Sequence, residues 1–351
     1  MNGLHTGLQT GLQGDLLNTV DRICAEHCPR ALRESAEAGE WPAGLWAALE
    51  EVGLTKAALP EAAGGAGLEF GDAMLALRRT AYHALPVPLA ETMIAGRLLV
   101  AAGLQVPEGA LTIAPVVQSE ALDIKSKKTF SGEARRIPWG KHCAHAVVAG
   151  ENEIGLVSLG GLTGLTERNL AGEPRVSLKF ESRALLAHAP LAGARARLQA
   201  EGALARSVQM TGALERSLAY SLQYAGERVQ FGRPIGKFQA VQHLLAVLAA
   251  QAAASSAAAD AAVEASAEAP DGFAVAVAKS RIGEAAGKGA EIAHQVHGAM
   301  GFTREHNLHY STRRLWSWRD EFGNETYWQL RLGRETAARG ADALWPMLTG
   351  P

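Results

Sequence analysis

The sequence predicts a mainly α-helical protein with a β domain in its middle, and three changes of texture along the chain carry that prediction. Over the first hundred or so residues helical spacing alternates with breaks, as where Trp41, Leu45, Leu49 and Val52 precede Gly53. From Leu111 to about Pro190 short β-rich runs (LTIAPVV, HAVVAG, EIGLVSLG) are divided by Gly and Pro, and Val176, Leu178 and Phe180 alternate with polar neighbours. Beyond Arg195 helix returns in long segments, at about 197–230, 238–266, 273–299, 305–320 and 324–346, lengths that suit a bundle in which alanine lets backbones approach closely. The expected domains are an N-terminal α-helical domain over 1–110, a β-barrel-like middle domain over 111–192 and a C-terminal four-helix bundle over 193–351.

Composition sets the bounds. With 351 residues, 48% of them hydrophobic and 20% charged, the chain can bury a large core and exceeds one ordinary domain. Basic residues number 34 and acidic residues 36, a net charge of −2, so the overall balance favours neither nucleic acid nor a membrane surface. Cys24, Cys28 and Cys143 cannot make a disulfide framework and no basic start with an apolar core opens the chain, so a cytoplasmic protein is expected. The run LLAVLAAQAAASSAAADAA holds Gln251, two serines and Asp260, which points to a buried, closely packed helix rather than a membrane span. Asp260, Glu264 and Glu268 would line its polar face.

Few motifs carry chemistry on their own. GGAGLEFG lacks a preceding strand, and GEAAGKG has neither the spacing nor the hydroxyl of a phosphate-binding loop. CAEHC and the pairs His294/His297 and His306/His309 match no usual zinc arrangement, so no metal is expected. ERVQFGRPIGKFQ is different. Between two helical stretches it breaks for Gly232, Pro234 and Gly236 and brackets Phe231 with Arg228 and Arg233, where guanidinium forks suit a phosphate and the ring an adenine. A helix corner with solvated arginines explains the same residues.

ERVQFGRPIGKFQAVQHLLA resembles the helix-turn-helix segment of acyl-CoA dehydrogenases, and HQVHGAMGFTREHNLHYSTRR is similar to their second C-terminal signature, Gln295 to Phe302. The order helical, β, helical agrees, as does LPEAAGGAGL near Pro60, so the likeness covers nearly the whole chain. It implies an assembly of dimers or tetramers with FAD at each subunit interface. There the motif residues corresponding to Arg228, Phe231 and Gln239 hold the neighbour's pyrophosphate and adenine, and Gln295, Val296 and Ala299 of the second signature add further contacts.

The resemblance fails where the chemistry would be done. The family takes the α-proton of an acyl-CoA thioester with a glutamate while the β-hydrogen leaves as hydride to the flavin. At the position of that base stands Phe322, with Glu321 one residue away; at the alternative position on an earlier helix stands Gly202, with Glu201 beside it and Ala203 where an arginine is expected. In the middle domain the strands that would face the flavin ring read TIAPVVQSEALD and SGEARRIPWGKHC, with Arg136 where a tryptophan would fall and Trp139 as its substitute after a shift. Arg206, one turn beyond Ala203, is either a replacement anchor for the CoA phosphate or a solvated helix arginine. Three readings follow from the resemblance: a supporting subunit of a heteromeric bacterial acyl-CoA dehydrogenase, like the two-gene enzymes acting on CoA thioesters of steroid side chains or other bulky acids; a homomeric dehydrogenase with Glu321 or Glu201 as displaced base; and a scaffold without redox chemistry.

Overall fold

The computed structural model describes residues 2–114, 123–125 and 129–349. The chain opens with five helices, α1 (Asn2–His27), α2 (Arg30–Ala38), α3 (Ala43–Glu51), α4 (Phe70–Tyr82) and α5 (Leu89–Ala101). Their ends follow local rules: Pro29, Pro42 and Pro88 stand just before α2, α3 and α5, and α2 stops at Gly39 in a left-handed conformation.

The middle of the chain forms β1 (Leu111–Ile113), β2 (Asp123–Lys125), β3 (Thr129–Pro138), β4 (His145–Ala149), β5 (Glu153–Ser158), β6 (Leu165–Arg168) and β7 (Pro174–Pro190). These pair in the order β1-β4-β5-β7-β3-β2, with β6 also on β7, and all pairs are antiparallel except β1 with β4. The 17-residue β7 closes the curve. Its first part pairs β3 as far as Ala184 and also β6, its last part from Leu185 pairs β5, and Ser182 with φ +47° sits at a shift of register against β3. Ala134, Ile137, Val148, Val157, Val176 and Phe180 fill the interior of this half-barrel.

Helices then return as α6 (Ala194–Glu227), a short hairpin of β8 (Val229–Gln230) and β9 (Arg233–Pro234), then α7 (Gln239–Ala265), α8 (Gly272–His297), α9 (Leu308–Asp320), α10 (Glu325–Arg339) and α11 (Ala341–Thr349). The middle of α6 is enclosed on all sides, packing against α4, α5, α7, α8 and α9. One core joins the N-terminal helices to this bundle through residues such as Leu77, Leu98, Leu204, Leu214, Ile282 and Leu315.

Two expectations are corrected by the structure and a third, the packed core helix, is sharpened. The segment expected as one helix over 324–346 is divided at Gly340, whose backbone (φ 82°, ψ 166°) cannot continue a helix. Helix α7 is long and apolar enough to cross a membrane by length and composition, yet it packs on α6 and α8 through a face that buries Leu248, Ala252, Ser255, Ala259, Ala262 and Val263, leaving Val247 exposed. It is therefore buried on one face, not all round. Its polar face carries Asp260 and Glu264, but Glu268 falls beyond the helix end. The three cysteines are free.

Candidate cofactor-binding corner and cleft

The break after α6 is a β-hairpin, not the expected helix corner. Val229 pairs with Pro234 and Gln230 with Arg233, and Phe231 (φ 50°) and Gly232 (φ 79°) form the two-residue tip. Positive φ at both central residues is the signature of a type I′ turn, whose twist suits a tight hairpin. The hairpin is anchored from below: Arg228 N–H donates to the Tyr224 carbonyl and Ile235 N–H to the Arg228 carbonyl, each at 2.8 Å. Ile235 itself is buried with Ala225, Leu248, Ile292 and Val296.

The end of α8 stands opposite. Gly298 (φ 57°) ends the helix and a 3₁₀ turn over Gly298–Phe302 carries the chain away. Between hairpin and turn lies an open hollow of about 580 Å³, lined among others by Arg228, Phe231, Gln295, Val296, Ala299 and Met300. The structure thus brings together five of the six expected cofactor residues. Gln239 is exposed at the first position of α7 but outside that lining, and Val296 serves also as a core residue.

The charge at this corner is unspent. Arg228 and Arg233 are exposed, and among the described residues neither has an ion-pair partner. Arg233 lies over the Phe238 ring at 4.3 Å, and Phe231, 91% exposed, meets Phe238 edge-on at 6.1 Å. Free guanidinium groups, a bare aromatic face and a hollow within the roughly 300–1,000 Å³ of small-molecule sites fit a phosphate-bearing dinucleotide. The hollow is open to solvent.

The cleft where the family's base belongs is built in the opposite way. After α9 the chain turns through Glu321, Phe322 (φ 56°) and Gly323 (φ 89°) into α10, which Asn324 caps by accepting from Tyr327 N–H at 3.0 Å. The turn is pinned: buried Lys279 donates to the carbonyls of Arg319 (2.6 Å) and Gly323 (2.7 Å), and Trp328 Nε1 donates to that of Phe322 (3.0 Å). The Phe322 ring lies directly on Gly202, where a Cβ would come within 2.3 Å of it. The two positions that the resemblance assigns to a base therefore face each other, one a glycine and the other a phenyl group that fills the space between.

Neither neighbouring glutamate is free to replace it. Glu321 is held by Arg175 at 2.5 Å, Arg206 at 2.7 Å and Asn169 at 3.3 Å. Burial pushes its carboxyl up, but Arg175 and Arg206 more than reverse this and hold it down to about 2. A carboxylate so stabilised is a poor proton acceptor near neutrality. Glu201 is 3% exposed, faces Arg97 at 3.1 Å and Arg197 at 3.8 Å, and is tied to the packing of α5 on α6; burial moves its carboxyl upward against those arginines. The expectation of a displaced base at either residue does not fit this geometry.

Two further expectations change. Arg206 is neither solvated nor an anchor for CoA: it is 2% exposed and bonded to Glu91 at 2.5 Å and to Glu321. It belongs to a buried chain of alternating charge, Glu91, Arg206, Glu321, Arg175, Glu173 and Arg314. Trp139 does not substitute at the flavin-ring side, being buried near Trp41 and His142. Most of the companion strand, 115–122, lies outside the described residues. Sequence reasoning missed Lys279 and the charge chain; the one visible signal was a lysine within the small, apolar run FAVAVAKS. His294, His297 and His306 stack among Tyr224, Phe302 and Trp316, and burial lowers the pKa of all three.

Comparison with known proteins agrees with this architecture. Residues 194–320 match the acyl-CoA dehydrogenase C-terminal domain and residues 10–105 the N-terminal domain. The chain is 31% identical over 320 residues to acyl-CoA dehydrogenase IpdE2 of Mycobacterium tuberculosis, covering 85% of this chain and 89% of the relative. It belongs to the acyl-CoA dehydrogenase family. Among solved structures, a variant of the Tcur3481–Tcur3483 steroid ACAD superposes with a TM-score of 0.85 at 24% identity, covering 94% of this chain and 98% of the other. The ChsE4–ChsE5 complex from Mycobacterium tuberculosis does so with 0.82 at 23%, over 93% and 97%. These two likenesses show the shared fold of N-terminal helical domain, middle β half-barrel and C-terminal helical domain.

Proposed function

We propose that this chain is the supporting subunit of a two-polypeptide acyl-CoA dehydrogenase, lending Arg228, Phe231, Gln239 and the Gln295–Ala299 turn to FAD bound against a partner that supplies the catalytic glutamate. The observation that carries this reading is the contrast between the two sites. The space for a base is closed by Phe322 on Gly202, whereas the corner presents exposed cations and a bare ring beside an open hollow. FAD bound there supplies the hydride acceptor for α,β-oxidation of an acyl-CoA. Arg228 would give a charge-assisted bond to the pyrophosphate, and the Phe231 ring a stacking face for adenine. The solved likenesses include a steroid ACAD, which favours a bulky acyl group.

The test is to purify the chain alone and together with a homologous subunit that retains the glutamate, and to record the flavin absorbance band. Flavin only in the mixture, weakened about tenfold or more by Arg228→Gln in this chain, is the expected result. A yellow protein that turns over alone would establish a self-sufficient enzyme, and colourless protein in both preparations a scaffold; either outcome overturns the proposal.

A further inference from the structure

The hollow beside Phe322 is not empty of recognition chemistry. It measures about 400 Å³ and lies between β3 and the end of α9, with Arg136, Pro138, Leu170, Trp316, Asp320 and Phe322 on its walls. Its apolar side is formed by Trp316, Phe322, Pro138 and Leu170, the last 59% exposed. Arg175 and Glu321 also reach it, but they are committed to each other.

The unusual feature is Arg136. Ala134 pairs with Leu178 and Ile137 with Val176, so Arg135 and Arg136 together oppose the single residue Ser177. That count defines a β-bulge, a device that re-aims a side chain at the edge of a sheet. Arg136 takes a left-handed backbone with φ 55°, costly for a residue with a Cβ, and its N–H donates to Ser177 Oγ at 3.1 Å. A glycine would hold the same bulge without strain. Arg135 turns to Glu133, whereas the Arg136 guanidinium has no ion-pair or hydrogen-bond partner among the described residues. The bulge thus sets an exposed, uncommitted guanidinium at the rim of an aromatic hollow, an arrangement suited to a ligand carboxylate.

We propose that this hollow binds a small amphipathic carboxylate, its apolar body against Trp316, Phe322 and Leu170 and its carboxylate on Arg136. A carboxylate gives this exposed guanidinium a charge-assisted bond that a neutral thioester carbonyl cannot, so the expected ligand is a free acid. Arg135 and Asp320 also stand on the wall, and Arg135 is paired with Glu133, so Arg136 is the group assigned to the carboxylate. The inference does not rest on the flavin reading.

The probes are octanoate, octanol and acetate, which separate the body from the charge, with binding followed by calorimetry and by the shift in thermal unfolding. Octanoate is expected to bind at least about tenfold more tightly than octanol or acetate, and Arg136→Gln to abolish that advantage. Arg136→Gly removes the same guanidinium while relieving the backbone, so loss of the advantage in both variants cannot be a folding defect. Equal binding of octanoate and octanol, an advantage that survives in Arg136→Gly, or no binding by any of the three overturns the proposal.

Discussion

Phe231–Gly232 and Phe322–Gly323 are the same dipeptide in the same left-handed backbone, with φ of 50° and 79° in the first and 56° and 89° in the second. Their surroundings differ in every respect. Phe322 is 8% exposed and Phe231 is 91% exposed. Lys279 and Trp328 hold the Phe322 turn by hydrogen bonds, and its ring is packed on Gly202; the tip at Phe231 has only an edge contact with Phe238. The cost of a left-handed phenylalanine is thus offset by the chain's own packing at one turn and left standing at the other. Strain that the fold does not offset points to an interaction outside the fold.

The comparison breaks most sharply if the same substitution is made at both turns. Phe322→Gly removes a buried ring and leaves a void against Gly202. Deleting a core phenylalanine costs roughly 3–5 kcal/mol and relief of the backbone returns ~1. A net loss of about 3 kcal/mol in urea unfolding is expected; an unchanged midpoint would mean that the ring is not part of the core.

Charge at the two sites gives a second, smaller contrast. Glu321 sits between Arg175 and Arg206 with its carboxyl held down to about 2 from an ordinary 4.5. Because the folded value lies below the unfolded one, its contribution to stability is complete above 4.5 and is lost as pH falls through about 2. With 20% of the side chain exposed and Arg175 shared with Glu173, about 2 kcal/mol is a reasonable size. The stability gap between the wild type and Glu321→Gln should therefore narrow steadily across that acid range. A gap that stays constant would show that the carboxylate is not ionised in the pair. Arg228→Gln, by contrast, should leave stability within ~0.5 kcal/mol, as for other exposed residues without partners.

What could be read from the chain follows the range of each physical signal. Helical period, Gly and Pro punctuation and β-rich runs are local, and they located the helices and the β segment, down to α6, α7 and α8 within a few residues of their observed ends. The hairpin at Phe231 was missed because its tip is Phe-Gly and not the Asn-Gly or Asp-Gly that usually announces a type I′ turn. Spacing could name Phe322 and Gly202 as the two stations of a base, but only packing of α6 against the end of α9 shows that they touch. The chain of ion pairs from Glu91 to Arg314 draws on residues from α5, β7, α6 and α9. No window of sequence contains it, and each member alone reads as a solvated charge.

The effect expected at Phe231 is small and is the most telling about function. At Phe231 almost no burial is at stake, so Phe231→Gly removes the left-handed cost without opening a cavity, and the chain alone should gain about 1 kcal/mol. The gain would be partly offset by the greater freedom of glycine in the unfolded chain, so the comparison with Phe231→Asn, which tolerates the same backbone, separates the two contributions. Both variants should be at least as stable as the wild type in urea unfolding, and both should weaken flavin binding by the assembled enzyme. Those two results together would support the proposal that the ring serves a surface other than this chain's own. If instead Phe231→Gly destabilises the isolated chain, the hairpin tip is held by contacts within this subunit, and the contrast between the two Phe-Gly turns loses its functional meaning.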